Sequence, residues 1–408
     1  MASSSITENT IMITNFKFKI LIVCTVLSCF VSLAEASNKL APEIREFNAK
    51  DSSYELEQTI PDLNKAFIDS SPAVREDGLL VGQLGADGGN KAKVYKMAQE
   101  IADNKHDLYD SMLISYQGKL IFESYYTRGR IDLPHFQQST TKSYTALVIG
   151  RAIQLGYLTM ADLDKPVVSF LKELDSKRLA KGVENITLHK AMTMRSGLNI
   201  DWNKIKELRK SPDQLKGQGS IQAYLEHSMP ISAKHQPFNY QNEDADLVMQ
   251  VVDAVVPGTA KDFIKNELLD KMGISVYRWD NDISGLPTGA YGSSMTSRDM
   301  IKWGTLVMNK GKWQGEQLIP AGFISKATSN IVDSDVPNTS YGYFWWQIDM
   351  KVGDKRYVSK SARGGGGQYI MLFEELNLVV IVTSHNKLGS DDQTLALIEN
   401  SLLPAFIK

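Results

Sequence analysis

The sequence predicts an α/β protein of the α+β type. A single antiparallel sheet is built from both chain ends, flanked by helices, with a mostly helical lobe inserted between the two halves. Three observations carry this reading. An early pair of strand-like runs meets at a tight turn, a late pair of apolar runs does the same, and the long stretch between them has helical patterning.

Lys91 to Asp103 has the spacing of an amphipathic helix. Ser111–Tyr116 and Lys119–Tyr126 read as strands joined at Gln117-Gly118, a two-residue hairpin signal. A helix then opens near Ser139. Ala146, Ile149 and Ile153, flanked by Leu147 and Ala152, recur at helical spacing, and Gly156 is placed to end it. From about 157 to 285 the pattern is helical with loops and no strong strand. The late hairpin runs Gln368–Phe373, turns at 374–377 and returns through Leu378–Thr383, and a closing helix covers about Asp392 to Phe406. A cleft between sheet and lobe is a natural place for a pocket.

The N-terminus reads differently. Lys17 and Lys19 precede the apolar run Ile20–Leu33, and Ala34-Glu35-Ala36 supplies a small-x-small cleavage site. Residues 1–36 are therefore expected to be a signal peptide, with Met12 as an alternative start and Ser37 as the first mature residue. The apolar run is shorter than the ~18 residues of a membrane span. A lipid anchor at Cys29 fits less well, because Leu27 departs from the lipoprotein pattern. The expected location is exported, periplasmic or extracellular, with the membrane met only through the cleaved signal. Residues 37–90 read as a polar N-terminal extension, and 91–408 as the main domain.

Composition excludes several classes of chemistry. Both cysteines, Cys24 and Cys29, lie in the leader, so the mature chain would have no disulfide, thiol nucleophile or cysteine-bound zinc. A net charge of −2 gives no reason to expect nucleic acid as a partner. The six histidines show neither His-x-His nor His-Glu-x-x-His spacing, so no metal and no other cofactor is expected. No Gly-x-Ser-x-Gly elbow is present, which argues against the common Ser-His-Asp layout.

Ser139-Thr140-Thr141-Lys142 is the candidate centre. A spacing of three on a helix puts both side chains on one face. A serine hydroxyl needs a base, and a buried lysine becomes one as burial disfavours its charged form. The motif alone is weak: roughly one to three chance matches are expected in such a chain, and Ser169–Lys172 and Ser384–Lys387 also fit. Context favours Ser139, which sits at the positive end of a buried helix. Tyr240-Gln241-Asn242, the only Tyr-x-Asn in the sequence, lies in a loop before an apolar helix. Its phenol could relay a proton, and Asn242 could donate to Lys142 or to substrate. Ala362-Arg363-Gly364-Gly365-Gly366-Gly367-Gln368 leads into a strand. Its glycines allow close approach of a ligand to backbone N–H groups. His385 reads as structural or surface, and Trp345 and Trp346 as sheet core, with one of them free to line the pocket.

In this order the three motifs resemble the serine β-lactamase-like superfamily, closest to class C β-lactamases and their esterase and 6-aminohexanoate-oligomer-hydrolase relatives. Gln117–Glu123, Thr187–Leu198, Gly292–Asp299 and Tyr341–Trp346 extend the likeness along the mature chain. The resemblance implies a β-lactamase/transpeptidase-like fold and a Ser139 acyl-enzyme. Lys142 and Tyr240 would share the base and acid roles, Asn242 would orient them, and Arg363, Gly364 and Gly365 would meet the substrate. The backbone N–H of Ser139 and one after Gly364 would form the oxyanion hole. Two departures stand out. Penicillin-recognising members carry Lys-Thr-Gly or His-x-Gly where this chain has Ala362-Arg363-Gly364, a form similar to the esterase and amide-hydrolase branch. Lys190 stands where many relatives have histidine. The implied activity is hydrolysis of a small ester, amide or peptide. The alternatives are a β-lactamase or D,D-peptidase acting on penicillins or peptidoglycan, and a catalytically silent ligand-binding relative.

Overall fold

The computed structural model describes residues 40–44, 54–387 and 391–407. The expected signal peptide and parts of the expected extension lie outside the described residues. Ala41–Lys408 forms one compact unit.

Among the described residues the main sheet has nine strands. They are β1 (Phe67–Asp69), β2 (Tyr109–Tyr116), β3 (Lys119–Tyr125), β4 (Val332–Asp333), β5 (Thr339–Tyr341), β6 (Trp346–Val352), β7 (Lys355–Gly364), β8 (Gln368–Phe373) and β9 (Leu378–Ser384). Their order is β1-β3-β2-β9-β8-β7-β6-β5-β4, antiparallel throughout. The seam between β2 and β9, with Ile114 opposite Val380, joins the early hairpin to the late one. The sheet is therefore assembled from both halves of the chain. β1 belongs to the stretch read as an extension and pairs with β3 at the sheet edge.

Local chemistry explains the elements. Gln117 and Gly118 both have positive φ, 50° and 79°, as a two-residue turn of right-handed strands requires. Strands β8 and β9 are buried along their whole length, which is why they read as unbroken apolar runs. Five helices position the rest: α1 (Lys91–Ala102), α2 (Thr140–Gln154), α3 (Glu243–Val255), α4 (Ser297–Met308) and α5 (Asp391–Leu397). Asn90 caps α1 by accepting from the Lys93 N–H at 3.1 Å, and Val94, Met97, Ala98 and Ile101 form its buried stripe. Helix α4 packs on β9, β8 and β2. Gly304 permits that approach, since a Cβ there would lie 2.6 Å from Val379 Cγ1. From α4, Arg298 makes two bonds to the buried Glu123 of β3, at 2.9 and 3.1 Å, locking the helix to the early hairpin.

One expectation needs correction and one needs detail. The glycine-rich motif does not simply lead into a strand: Ala362-Arg363-Gly364 ends β7, and residues 365–367 turn back into β8. The sequence hides β7 because its inward face carries hydroxyls. Ser359 and Ser361 are buried and bond each other at 2.7 Å, so no apolar alternation marks the strand. The closing helix is where expected, running without a gap from 391 to 405, but its winding changes along its length. It passes from α5 into a wider turn at Ile398–Leu402 and a tight one at Leu403–Ala405, which carries Pro404. Between about 157 and 285 short helices dominate, as expected, with one three-residue strand at Tyr277–Trp279. That strand belongs to a small sheet with His135–Phe136 and Ser293–Met295.

Candidate active site

The small sheet delivers the chain to Ser139. His135–Phe136 pairs with Ser293–Met295, and the Gln137 N–H donates to the Ser293 carbonyl at 2.9 Å. Behind it His135 Nε2 and His385 Nδ1 both meet Asp110, each at 2.9 Å. Burial works against the His135 proton, but Glu57 and Asp110 outweigh it and hold the imidazole up at about 9. Of the two readings open for His385, structural or surface, its bonds to the buried Asp110 fit the first. Gln138 then takes a left-handed φ of 51°, and Ser139 follows as the residue that opens α2. Such a turn costs energy in a non-glycine residue. The Ser139 hydroxyl makes no capping bond to the helix, and the residue is partly accessible.

Helix α2 is buried along thirteen consecutive residues, Thr140 to Ala152. This places Lys142 in the core side of the cleft, 1% exposed. Its Nζ donates to Ser139 Oγ at 3.0 Å, Asn242 Oδ1 at 2.7 Å and the Ala290 carbonyl at 3.0 Å. Burial pulls its pKa down to about 8, against the opposing pull of Asp246, Glu243 and Asp244. A minor fraction of the amine is thus neutral near physiological pH, far more than for an ordinary lysine, and it already touches the hydroxyl. Asn242 accepts from Lys142, where the sequence reading had it donate, because its carbonyl oxygen faces an amine rich in hydrogens.

Tyr240 lies over the same amine: Lys142 Nζ sits 5.0 Å from its ring centroid. Tyr240 is 37% exposed, so solvent or a ligand can reach it. It packs 5.4 Å from Trp346 and 6.2 Å from Tyr341, centroid to centroid. Both tryptophans are buried, as expected of sheet core; Trp346, at 8% exposure, is the one that meets Tyr240.

The third motif arrives on β7. The Arg363 guanidinium lies over the rings of Trp346 and Tyr369, at 5.0 and 5.8 Å, so its orientation follows an aromatic platform continuous with Tyr240. Gly364 is sterically required. A Cβ there would stand 2.1 Å from the Gln137 carbonyl oxygen and 3.0 Å from Thr140 Oγ1. The end of β7 thus runs against the segment that carries Ser139. The Ser384 hydroxyl donates to Gly366 O and the Asn386 N–H bonds the same carbonyl at 3.1 Å, pinning the turn through 365–367. Gly364→Ala is expected to cost ~1–3 kcal/mol and to slow the reaction of Ser139. Thermal unfolding and the rate of fluorophosphonate labelling would measure the two effects separately.

Sequence reasoning named Ser139, Lys142, Tyr240, Asn242, Arg363, Gly364 and Gly365; the structure brings Ser139, Asn242 and Tyr240 around Lys142, places Arg363 over Trp346, which packs on Tyr240, and sets Gly364 against Gln137 and Thr140, with Gly365 next in the turn. It missed the Ala290 carbonyl, which carries no side-chain signal, and the Trp346 platform, left open between core and pocket. Lys190, in the histidine position, donates to Asn185 O at 3.0 Å and to Gln236 Oε1. It is a bracing residue for the loop that precedes Tyr240.

Likeness to known proteins bears on the fold and the family. No curated protein matches the sequence. A Bacillus anthracis protein provisionally named 6-aminohexanoate-dimer hydrolase superposes with TM-score 0.62 at 16% identity, covering 90% of this chain and 97% of its own. A class C beta-lactamase gives 0.60 at 15%, covering 78% and 98%. A penicillin-binding protein homologue from Caulobacter crescentus gives 0.59 at 14%, covering 77% and 97%. At these identities the likeness establishes the fold, an antiparallel sheet with flanking helices. The beta-lactamase family model matches residues 109–401, most of the chain. The chain belongs to the beta-lactamase family and is a serine hydrolase.

Proposed function

We propose that this hydrolase cleaves a carboxylic ester or amide through a Ser139 acyl-enzyme. The carrying observation is the position of the Lys142 amine, which bonds the Ser139 hydroxyl and Asn242 together in a buried setting. The neutral amine takes the Ser139 proton as Oγ attacks the substrate carbonyl carbon. The resulting oxyanion is held by the backbone N–H groups of Ser139 and Gly365. Collapse expels the alcohol or amine, which receives the proton through Lys142 and Tyr240. Water then repeats the sequence on the acyl-enzyme, releasing the acid and restoring Ser139. Asn242 holds Lys142 on its third side throughout.

Ester or amide is favoured over penicillin because the third motif is Ala362-Arg363-Gly364, with alanine where the family's penicillin-recognising members carry a cation. The aromatic surface of Tyr240 and Trp346 beside it suits an apolar acyl or leaving group. Export, by cleavage after Ala36, is part of the proposal, supported by the charged, apolar and small-residue order of the leader.

The test is a substrate panel of p-nitrophenyl acetate and butyrate, the 6-aminohexanoate linear dimer and nitrocefin, with intact-mass analysis after a fluorophosphonate. Turnover of the esters or the dimer with a single adduct on Ser139 is expected. Fast nitrocefin turnover without ester cleavage would reverse the ranking in favour of a β-lactamase. A stable adduct with no turnover of any substrate would leave the silent-receptor reading.

A further inference from the structure

Gln241 stands between Tyr240 and Asn242, the two residues that meet Lys142, yet its amide is committed elsewhere. Its Nε2 donates to Ser196 Oγ at 2.9 Å and to Asp244 Oδ1 at 2.6 Å. The Ser196 hydroxyl donates to the same Asp244 oxygen, and the Ser196 N–H reaches Oδ2 at 3.3 Å. Ser196 and Asp244 are both fully buried. The Ser196 carbonyl accepts from Gln236 Nε2 at 2.7 Å, and the Asn239 N–H bonds the Met194 carbonyl at 2.8 Å. The Tyr240–Asn242 segment is therefore stitched on both sides to the turn at 194–196.

We propose that Asp244 is a positioning residue of this hydrolase: as a carboxylate it gathers Ser196 and Gln241 and so holds Tyr240 and Asn242 against Lys142. The inference rests on the reading that Lys142, Tyr240 and Asn242 serve Ser139.

Three features support it. First, the carboxyl meets donors only: a hydroxyl, a backbone N–H and an amide N–H. A protonated carboxyl would bring a further hydrogen into this set and displace one of them, so the ionised form is the one that fits. Second, the group sits in the first turn of α3, where the helix end favours a negative charge. Third, the link is short: one residue from Asp244 through Gln241 reaches the backbone on which both partners of Lys142 are mounted. A simple helix cap would bond its own first-turn N–H groups, whereas this carboxylate bonds a different segment, 48 residues earlier in the chain.

Burial raises the Asp244 pKa to about 7 despite Ser196 and Gln241, with neighbouring Glu243 adding to the rise. The other charged or titratable groups around it are the Lys142 amine, the Tyr341 phenol of β5 and, one bond beyond Ser196, Lys190 and Arg195 held on Gln236. The Asp244 charge in turn helps to hold the Lys142 proton. Loss of that charge makes Lys142 easier to deprotonate.

The experiment compares Asp244→Asn and Gln241→Ala with the wild-type full chain, using p-nitrophenyl butyrate between pH 5.5 and 9.5. Active sites are counted by fluorophosphonate titration. Per active site, kcat is expected to fall about 10- to 100-fold with KM little changed, since displaced partners rather than lost binding limit the reaction. In Asp244→Asn the acid limb of kcat/KM should also move to lower pH, by about half a unit, while in Gln241→Ala it should stay. A purely structural role would lower the count of active sites or the melting temperature and leave per-site kcat and the acid limb unchanged, which overturns the proposal. Gln241→Ala leaves the buried carboxylate with Ser196, so it remains informative if Asp244→Asn fails to fold. Wild type that neither labels nor turns over would overturn the Ser139 reading instead. Wild type that does both, beside variants with unaltered kcat and pH limb, would sink the latch alone.

Discussion

Ser139→Ala is expected to abolish turnover, with kcat falling by about ten-thousand-fold or more, as removal of a hydrolase nucleophile does. The loss is large because the remaining groups have nothing to activate. Lys142 would still hold Asn242 and Ala290, and the cleft would still bind, but no acyl bond could form. The fold should tolerate the change, since the hydroxyl makes no capping bond to α2. Intact mass after fluorophosphonate treatment and an ester assay at high enzyme concentration check both halves. Residual activity within tenfold of wild type, or an adduct elsewhere, would remove Ser139 from the mechanism.

Lys142→Met is expected to be nearly as damaging, about a thousandfold or more in kcat, and its pH signature separates base from scaffold. In wild type the working form is the neutral amine, so kcat/KM should fall as pH drops through about 8. Methionine removes the amine and hence that limb along with the rate. Stability carries a second pH signature. The folded lysine binds its proton less tightly than the unfolded one, so between pH 8 and 10.5 the unfolded chain carries more protons and stability rises with pH. Below pH 8 the buried ammonium costs its full amount. Methionine, of similar length, escapes that cost but leaves Asn242 Oδ1 and the Ala290 carbonyl without their donor, so the expected result is loss of the wild-type rise in stability between pH 8 and 10.5. Denaturant melts at pH 7 and pH 9.5 measure it. A lysine variant that keeps the wild-type acid limb would assign that limb to another group.

How much of this could be read in advance depended on the kind of signal. The hairpins at Gln117-Gly118 and 374–377 were legible because turn chemistry and apolar runs are local. The Ser139–Lys142 pair was legible because three residues make almost one helical turn. Strand β7 was not, since Tyr357, Ser359 and Ser361 on its inner face mix one ring with two hydroxyls. The bond from Lys142 to Asn242 spans 100 residues. It could be guessed only through the motif order, and even then with the donor reversed. Arg363 shows the same limit: strand membership sets which face a side chain takes, but the aromatic bed under it comes from Trp346 and Tyr369 on the two flanking strands.

The β2–β9 seam has a consequence for biogenesis. Ile114 waits on the ribosome, unpaired along that side, until Val380 has been translated more than 260 residues later. Closure of so distant a pairing is slow, and the apolar edge of β2 stays a template for other chains meanwhile. Any premature stop before Leu378 should therefore yield aggregate rather than a smaller working enzyme.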